Sequence, residues 1–176
     1  KVDIDLKNQR SSAEKAIEAT ERYFCEYVEL THQIQIDRKE HNVYSYDGEI
    51  GDFSDSSIPS DQREKSNLRF SLSSWLPALN RLEAIAAYFT TGVADESVGF
   101  SVIGRTFCSS VEVNYDIIAK SRISGTNDYW ENIVKLYHLW RPRLSKAELE
   151  LAKTEADKKI SSLKQSSVSP IGVKRT

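Results

Sequence analysis

Apolar residues recur every three or four positions along most of the chain, a spacing that predicts α-helices. The first such stripe follows a capping-box signature at Ser11 and Glu14, and it predicts a long amphipathic helix over residues 11–42. The inward positions of that helix are predicted to be Ile17, Thr20, Phe24, Tyr27, Thr31 and Ile34. Because this stripe is narrow and heptad-like, it favours packing along one partner helix or along a second copy of the chain.

Two more helices are predicted between residues 61 and 122. The second helix runs from the DQRE stretch to Thr91 and is capped by Gly92, and Pro77 marks either a kink or its true start. Its inward face is predicted to comprise Leu72, Trp75, Leu76, Leu79, Leu82, Ala86 and Phe89. The third helix opens at the ADES stretch, spans about residues 95–122 and has apolar residues on more than one face. We therefore expect it to be the most buried helix.

The last third of the chain predicts a fourth and a fifth helix. A turn at ISGTND leads to a helix capped by Thr126 or Asn127 and stopped by Pro142. A second capping box, SKAE, then opens a helix to about Lys164, with an apolar stripe at Leu149, Ala152, Ala156, Ile160 and Leu163. No alternating strand pattern competes with these helices. The predicted class is all-α, an antiparallel bundle of about five helices with a long N-terminal helix.

Periodicity disappears in two segments. Residues 43–60 are rich in Gly, Ser and Asp and are predicted to form a flexible acidic surface loop. Its aromatic residues Tyr44, Tyr46 and Phe53 either mark a docking segment or anchor the loop to the body. Residues 166–176 are predicted to be a disordered tail. One helical domain over residues 1–165 is therefore expected, since 176 residues are enough to bury one core.

Charge limits the partners of the chain. A net charge of -2 argues against a general nucleic-acid binder, which normally carries a strong basic excess. The charge is uneven, because residues 1–70 hold ten Lys and Arg against fifteen Asp and Glu, whereas 141–176 hold nine against four. This basic C-terminal arm is either a solvated helix or a contact for phosphates or an anionic membrane. Its candidate contact residues are Lys153, Lys158, Lys159 and Lys164.

The two cysteines, Cys25 and Cys108, both lie within apolar helical patterns. We expect two reduced, buried thiols in a cytosolic compartment, rather than a secreted disulfide framework. Cys108 has only Arg105 as a nearby basic residue, which favours an inert thiol over a nucleophile.

Known catalytic constellations are incomplete in this sequence. Glu29 and His32 form one Glu-x-x-His pair, whereas a di-iron bundle needs two such pairs and two more glutamates, so no metal or cofactor is predicted. Helical RNases of the HEPN type place four to six residues between Arg and His, but Arg38 and His41 are separated by only two. An acid/base pair of His32 and His138 remains an alternative, although a histidine in an aromatic segment such as that of His138 is more often structural.

Asn80 and Glu83 lie in a helix that is otherwise apolar, three residues apart and beside its inward stripe. A buried carboxylate needs partners, and the candidates are Arg105, Arg122 or backbone groups at helix ends. We expect a polar clamp that fixes the register of the second and third helices. The alternative is a ligand site formed by these residues and His138.

Three stretches, LNRLEAIAAYFTTGVADE, YDIIAKSR and YWENIVKLYHLWRPR, resemble a bacterial family of unknown function. The shared features are an Asn-x-x-Glu-x-Ile-Ala helix, a turn after glycine that ends in two acidic residues, an Ile-x-x-x-Arg helix end and a final aromatic helix. The resemblance covers about residues 66–143. It implies one transmembrane helix ahead of a cytosolic helical domain, and an association with antiphage genes.

The sequence therefore predicts a non-enzymatic interaction or signal-responsive module at the inner face of the cell membrane. The chain begins at Lys1 and contains no methionine, which suits a membrane anchor upstream. Self-association through the first helix is the expected partner mode, and the small-molecule ligand is not defined. The alternative is a helical nuclease or a nucleotide-sensing effector.

Overall fold

A computed structural model of the chain describes residues 2–122 and 129–165, with side chains described for 4–122 and 129–161. Its described residues are helical or irregular and contain no strand. The helices are α1 (Val2–Arg22), a π-helical stretch (Tyr23–Tyr27), α2 (Val28–Glu40), α3 (Arg63–Ser71), α4 (Trp75–Thr90), α5 (Glu96–Glu112), α6 (Tyr115–Ser121) and α7 (Glu131–Gln165). The predicted all-α bundle with a long N-terminal helix is confirmed.

The chain divides into two compact units, Lys1–Arg141 and Pro142–Thr176. The first holds the core described below, and the second consists, where it is described, of the later part of α7. A single domain over residues 1–165 stays a prediction. In the part of the chain that the structure describes, no helix combines the length and apolarity that a membrane crossing needs.

The N-terminal helix begins earlier than predicted and turns a partly different face inward. It is already helical at Val2, so the capping-box pair at Ser11 and Glu14 lies within it. The predicted inward residues Ile17 and Phe24 are exposed. Thr20, Tyr27 and Ile34 are buried as predicted. Ala16, Ala19 and Tyr23 are buried with them, and this face packs against α4 and α5. The small alanines allow close helix approach, which outweighs the larger apolar area of Ile17.

Three predicted helix boundaries were wrong. The second predicted helix divides into α3 and α4 at Ser73, whose φ of 57° breaks the helical path. The third divides into α5 and α6 around Asn114. The predicted fourth and fifth helices form one helix, because Pro142 lies inside α7. A proline in a helix removes one backbone hydrogen bond and kinks the helix without necessarily ending it.

Helix α4 follows the predicted pattern more closely. Pro77 lies in its first turn, so it marks the start of the helix, and Gly92 ends the helix with a φ of 74° that favours glycine. Leu76, predicted to face inward, is exposed. The buried residues are Trp75, Ala78, Leu79, Leu82, Ile85, Ala86 and Phe89.

Helices α5, α6 and the first part of α7 complete the core. Asp95 caps α5, since its carboxylate accepts from the backbone N–H groups of Ser97 and Val98. The fully buried Trp140 packs against Phe89 and Phe107. Cys108 is buried as predicted.

Cys25 is exposed, which corrects the prediction of two buried thiols. It lies in the π-helical stretch next to the exposed Phe24, on the side of the helix that faces away from the core.

The acidic segment 43–60 is irregular as predicted, apart from a short 3₁₀ turn at Asp55–Ser57. It is anchored by its rings, because Tyr46 and Phe53 are buried with Val43 and Ile58, whereas Tyr44 is exposed. The Phe53 ring contacts the rings of Tyr115 and Tyr137. The flexibility of segment 43–60 stays a prediction. The predicted turn with Thr126 or Asn127 and the predicted tail 166–176 lie outside the described residues.

Candidate anion-binding site

A cavity of about 620 Å³ opens between the end of α2, the chain that follows it and the junction of α5 with α6. It is lined by Tyr27, Thr31, Ile34, Gln35, Arg38, Lys39, Asn42, Val43, Tyr44, Ser45, Ser110, Val113 and Asn114. Two of these residues are cationic and none is a carboxylate. A ligand in this cavity therefore meets a positive, hydrogen-bonding wall.

The end of α2 holds the two cationic residues in place. Asn42 has a φ of 53°, and its backbone N–H donates to the Lys39 carbonyl at 3.3 Å. The next N–H, of Val43, donates to the Arg38 carbonyl at 2.7 Å. This pair of bonds is a Schellman motif, which fixes a helix end and its exit direction. The chain then turns back over the cavity and places Ser45 near Arg38.

Arg38 joins the three elements around the cavity. One terminal nitrogen donates to the Ser45 hydroxyl at 2.9 Å, and the other donates to Asn114 Oδ1 at 2.9 Å and, more distantly, to the Val113 carbonyl at 3.5 Å. All of these acceptors are neutral. Burial lowers the pKa of the Arg38 guanidinium, and the nearby Asp116 carboxylate acts in the opposite direction. The group nevertheless stays protonated in a protein.

A buried ion pair lies behind this site. Arg69 Nε donates to Asp116 Oδ2 at 2.7 Å, and both side chains are almost fully buried. Arg69 also donates to the Tyr44 carbonyl and to the Ser66 hydroxyl. Arg38 and Arg69 lie near a single carboxylate, Asp116, and this carboxylate is already paired with Arg69. One excess positive charge therefore remains at Arg38. Such a charge is stabilised by an anion.

A second cavity, of about 280 Å³, lies across residues 42–45 from the first. It shares Tyr44 and the neighbouring residues of that segment, and it adds Lys65 and Arg69 as cations and Asp47 as a carboxylate. The exposed Tyr44 ring therefore lies between two cavities with cationic walls.

Tyr27 reaches the cavity from the π-helical stretch. A π turn inserts an extra residue into a helix and redirects the side chains that follow, and it is often found at functional sites. Tyr27 is buried, and burial raises the pKa of its hydroxyl, which stays neutral at physiological pH. Its neighbour Tyr23 shares a hydrogen bond with Ser110, another cavity residue, at 2.9 Å.

The residues predicted from the sequence to form a ligand site do not surround this cavity. Asn80 is exposed on α4. Glu83 accepts from the backbone of Asn132 and Ile133 in α7, so the polar clamp exists but joins α4 to α7. Neither Arg105 nor Arg122 is a hydrogen-bond partner of Glu83.

The remaining predicted site residues lie on three different helices or helix ends, and two of them, Arg122 and His138, contact Phe53. Arg105 is exposed on α5. Arg122 donates to the carbonyls of Phe53 and Tyr129 and so helps to hold the acidic segment. His138 is exposed on α7, with its ring edge against Phe53 at 5.6 Å between centroids. A binding role for these residues stays a prediction.

The Glu-x-x-His pair of the sequence lies on the surface. Glu29 and His32 are both exposed on α2. Within residues 2–122 and 129–165, no group of three or more His, Cys, Asp or Glu side chains lies close enough to hold a metal ion. The sequence reasoning missed Arg38 as a site residue. Its signal was a basic helix end followed by asparagine, which is a common left-handed cap.

Comparisons of the chain with protein families, with characterised proteins and with solved structures find no match. The resemblance to a bacterial family of unknown function therefore stays a prediction.

Proposed function

We propose that this chain is a non-enzymatic, signal-responsive helical module that binds a small phosphorylated ligand in the Arg38 cavity. The observation that carries the proposal is the cavity wall itself, which holds Arg38 and Lys39 but no carboxylate. Arginine is well suited to phosphate because its planar guanidinium donates two parallel hydrogen bonds.

The size of the cavity and its rings favour a ligand of nucleotide class. A volume of about 620 Å³ lies within the range typical of small-molecule sites. Tyr44 offers an exposed ring at the same cavity, and a flat base stacks on such a ring. This supports the nucleotide-sensing half of the alternative drawn from the sequence, and no cleavage of the ligand is proposed.

The response would begin with the contacts of Arg38. A bound phosphate competes with Ser45 and Asn114 for the guanidinium, because a charged acceptor binds it more strongly than a neutral one. Those two residues belong to the chain after α2 and to the α5–α6 junction. Ligand binding would therefore shift the acidic segment 43–60 relative to α6, which is a signal that a partner could read.

The cellular location and biological role that we propose for the module are those expected from the sequence. We propose a bacterial protein in the cytosol, tethered at the inner face of the membrane, that self-associates and serves in antiphage defence. The support for the tether and for the defence role is the sequence resemblance alone. Of the stripe on the first helix that was expected to mediate self-association, Ile17 and Phe24 are exposed, whereas Thr20, Tyr27 and Ile34 are buried within the chain.

Isothermal titration calorimetry tests the proposal, with inorganic phosphate, AMP and ATP as titrants. We expect saturable binding of at least one nucleotide, with Arg38→Gln weakening it by about tenfold or more, equivalent to about 1.4 kcal/mol. Arg81→Gln is the matched control, because Arg81 is a half-exposed arginine paired with Glu26 outside the cavity. An absence of binding, or equal losses in both variants, would contradict the proposal.

A further inference from the structure

The second cavity differs from the Arg38 cavity because its wall holds a carboxylate. Asp47 lines it together with Lys65, Leu68 and Tyr44, whose ring is exposed. Asp47 and Lys65 are exposed too, and neither side chain has a hydrogen bond or an ion pair with any residue that the structure describes. A charged acceptor and a charged donor are therefore both open to a ligand in the second cavity.

The two cavities are close enough to hold one ligand. Arg38 in the first cavity donates to the Ser45 hydroxyl at 2.9 Å, and Arg69 in the second donates to the Tyr44 carbonyl at 3.3 Å. Only the width of one chain segment therefore separates the two walls. Asp47 follows Ser45 by two residues, so their Cα atoms lie no more than about 7 Å apart. A nucleotide with its phosphate at Arg38 can place its base over the Tyr44 ring and reach Asp47.

The base-pairing edges of guanine and adenine present different groups to this cavity. Guanine has two adjacent donors, N1–H and N2–H, beside the acceptor O6, whereas adenine has the donor N6–H beside the acceptor N1. Because an ionised carboxylate only accepts, Asp47 can take two parallel hydrogen bonds from guanine but one from adenine. The Lys65 ammonium only donates, and it finds one acceptor on either base. Asp47 and Lys65 together therefore satisfy three groups of guanine and two of adenine.

We infer that the ligand of this chain is a guanine nucleotide, whose base stacks on Tyr44 and binds Asp47 and Lys65 in the second cavity. The inference rests on the proposed function, because Arg38 must bind the phosphate, and it adds the base that the chain selects. Stacking on an aromatic ring is tolerant of the base, so the selection falls to the hydrogen bonds. Adenine nucleotides keep the phosphate contact and lose a charge-assisted bond at Asp47, which makes them weaker ligands.

Isothermal titration calorimetry of the full chain with GMP, IMP and AMP tests the choice of base. GMP is expected to bind about tenfold or more tightly than AMP. IMP has the O6 and N1–H of guanine but lacks its 2-amino group, so its affinity is expected to lie between the two. A GMP affinity no higher than that of AMP would overturn the inference and leave the phosphate site of the proposed function standing. Binding of none of the three nucleotides would overturn both.

Substitution of Asp47 tests which group binds the base. The amide in Asp47→Asn presents one donor and one acceptor, which opposes the second donor of guanine but matches xanthine, whose O2 replaces the 2-amino group. The variant is expected to bind GMP about tenfold or more weakly than the wild type, and to bind XMP more tightly. Glu49→Gln is the matched control and should leave both affinities unchanged, because Glu49 is exposed in the same segment but lines neither cavity. A preference for GMP that survives Asp47→Asn, or equal losses in the two variants, would overturn the inference.

Discussion

Glu83 on α4 caps the first turn of α7 with both carboxylate oxygens. Its Oε1 accepts from the Asn132 N–H at 3.0 Å, and its Oε2 accepts from the Ile133 N–H at 2.9 Å. The Asn132 side-chain amide also donates to Oε1, at 2.8 Å. The first turn of a helix has backbone donors without internal partners, and its dipole favours a negative charge. Here a neighbouring helix supplies the cap, which ties α4 and α7 together.

Replacing Glu83 with alanine should destabilise the protein by about 2 kcal/mol, since it leaves two backbone donors of α7 without a charged acceptor. Urea unfolding followed by circular dichroism measures this loss. Asn80→Ala is the control, because Asn80 is exposed on the same helix and its loss should change stability by less than about 0.5 kcal/mol. Similar losses in the two variants would show that Glu83 is not the clamp.

The pair of Arg69 and Asp116 should be far more sensitive than the ion pairs at the surface. Asp116→Ala leaves the guanidinium of Arg69 buried without its partner, which costs about 3 to 5 kcal/mol. Glu26→Ala removes a half-exposed partner of Arg81 and should cost less than about 1 kcal/mol. Urea unfolding of both variants provides the comparison. If Asp116→Ala lowered the free energy of unfolding no more than Glu26→Ala, the buried pair would be no more important for stability than a surface pair.

The acidic segment 43–60 should depend on Phe53 for its position. Phe53→Ala removes the ring that packs on Tyr115 and Tyr137, and we expect faster hydrogen exchange across the segment and a stability loss of about 3 kcal/mol. Tyr44→Ala, in the same segment but exposed, should leave both quantities nearly unchanged. Unchanged exchange in Phe53→Ala would indicate that other contacts, such as those of Arg122, hold the segment.

The two cysteines should react at very different rates. Burial, together with the nearby Glu112 carboxylate, raises the pKa of the Cys108 thiol to about 12. At pH 8 we therefore expect a thiol reagent to label the native chain once, at the exposed Cys25, and twice in urea. Above about pH 8.5 the unfolded thiol ionises while the native one does not, so the stabilising contribution of the buried thiol falls as the pH rises towards 12. Rapid double labelling of the native chain would contradict this.

Periodicity and local signals in the sequence were sufficient to predict the helical class, most of the buried residues of α4 and the end of that helix at Gly92. They failed where one local signal competed with packing. Pro142 was expected to end a helix, yet the helix continues through it. The inward face of the first helix was partly right, because Thr20, Tyr27 and Ile34 are buried, whereas Ile17 and Phe24 are exposed and alanines pack in their place.

The candidate site was harder to predict because it depends on contacts distant in sequence. Arg38 meets Asn114 across 76 positions, and no local pattern indicates that pairing. Glu83 was recognised as needing a partner, but its partners Asn132 and Ile133 lie 49 and 50 positions away along the chain. Polar residues in an apolar helix can therefore be singled out from the sequence, whereas the groups they bind are determined by the fold.

The most direct test of the proposed function is a ¹⁵N-edited NMR titration of the protein with ATP, with Arg38→Gln as the comparison. The account predicts saturable shifts in the backbone amides of Ser45, Ser110 and Asn114, which line the cavity, and their loss in the variant. Shifts confined to the lysine-rich part of α7, or no saturable shifts at all, would contradict an anion-binding site at Arg38.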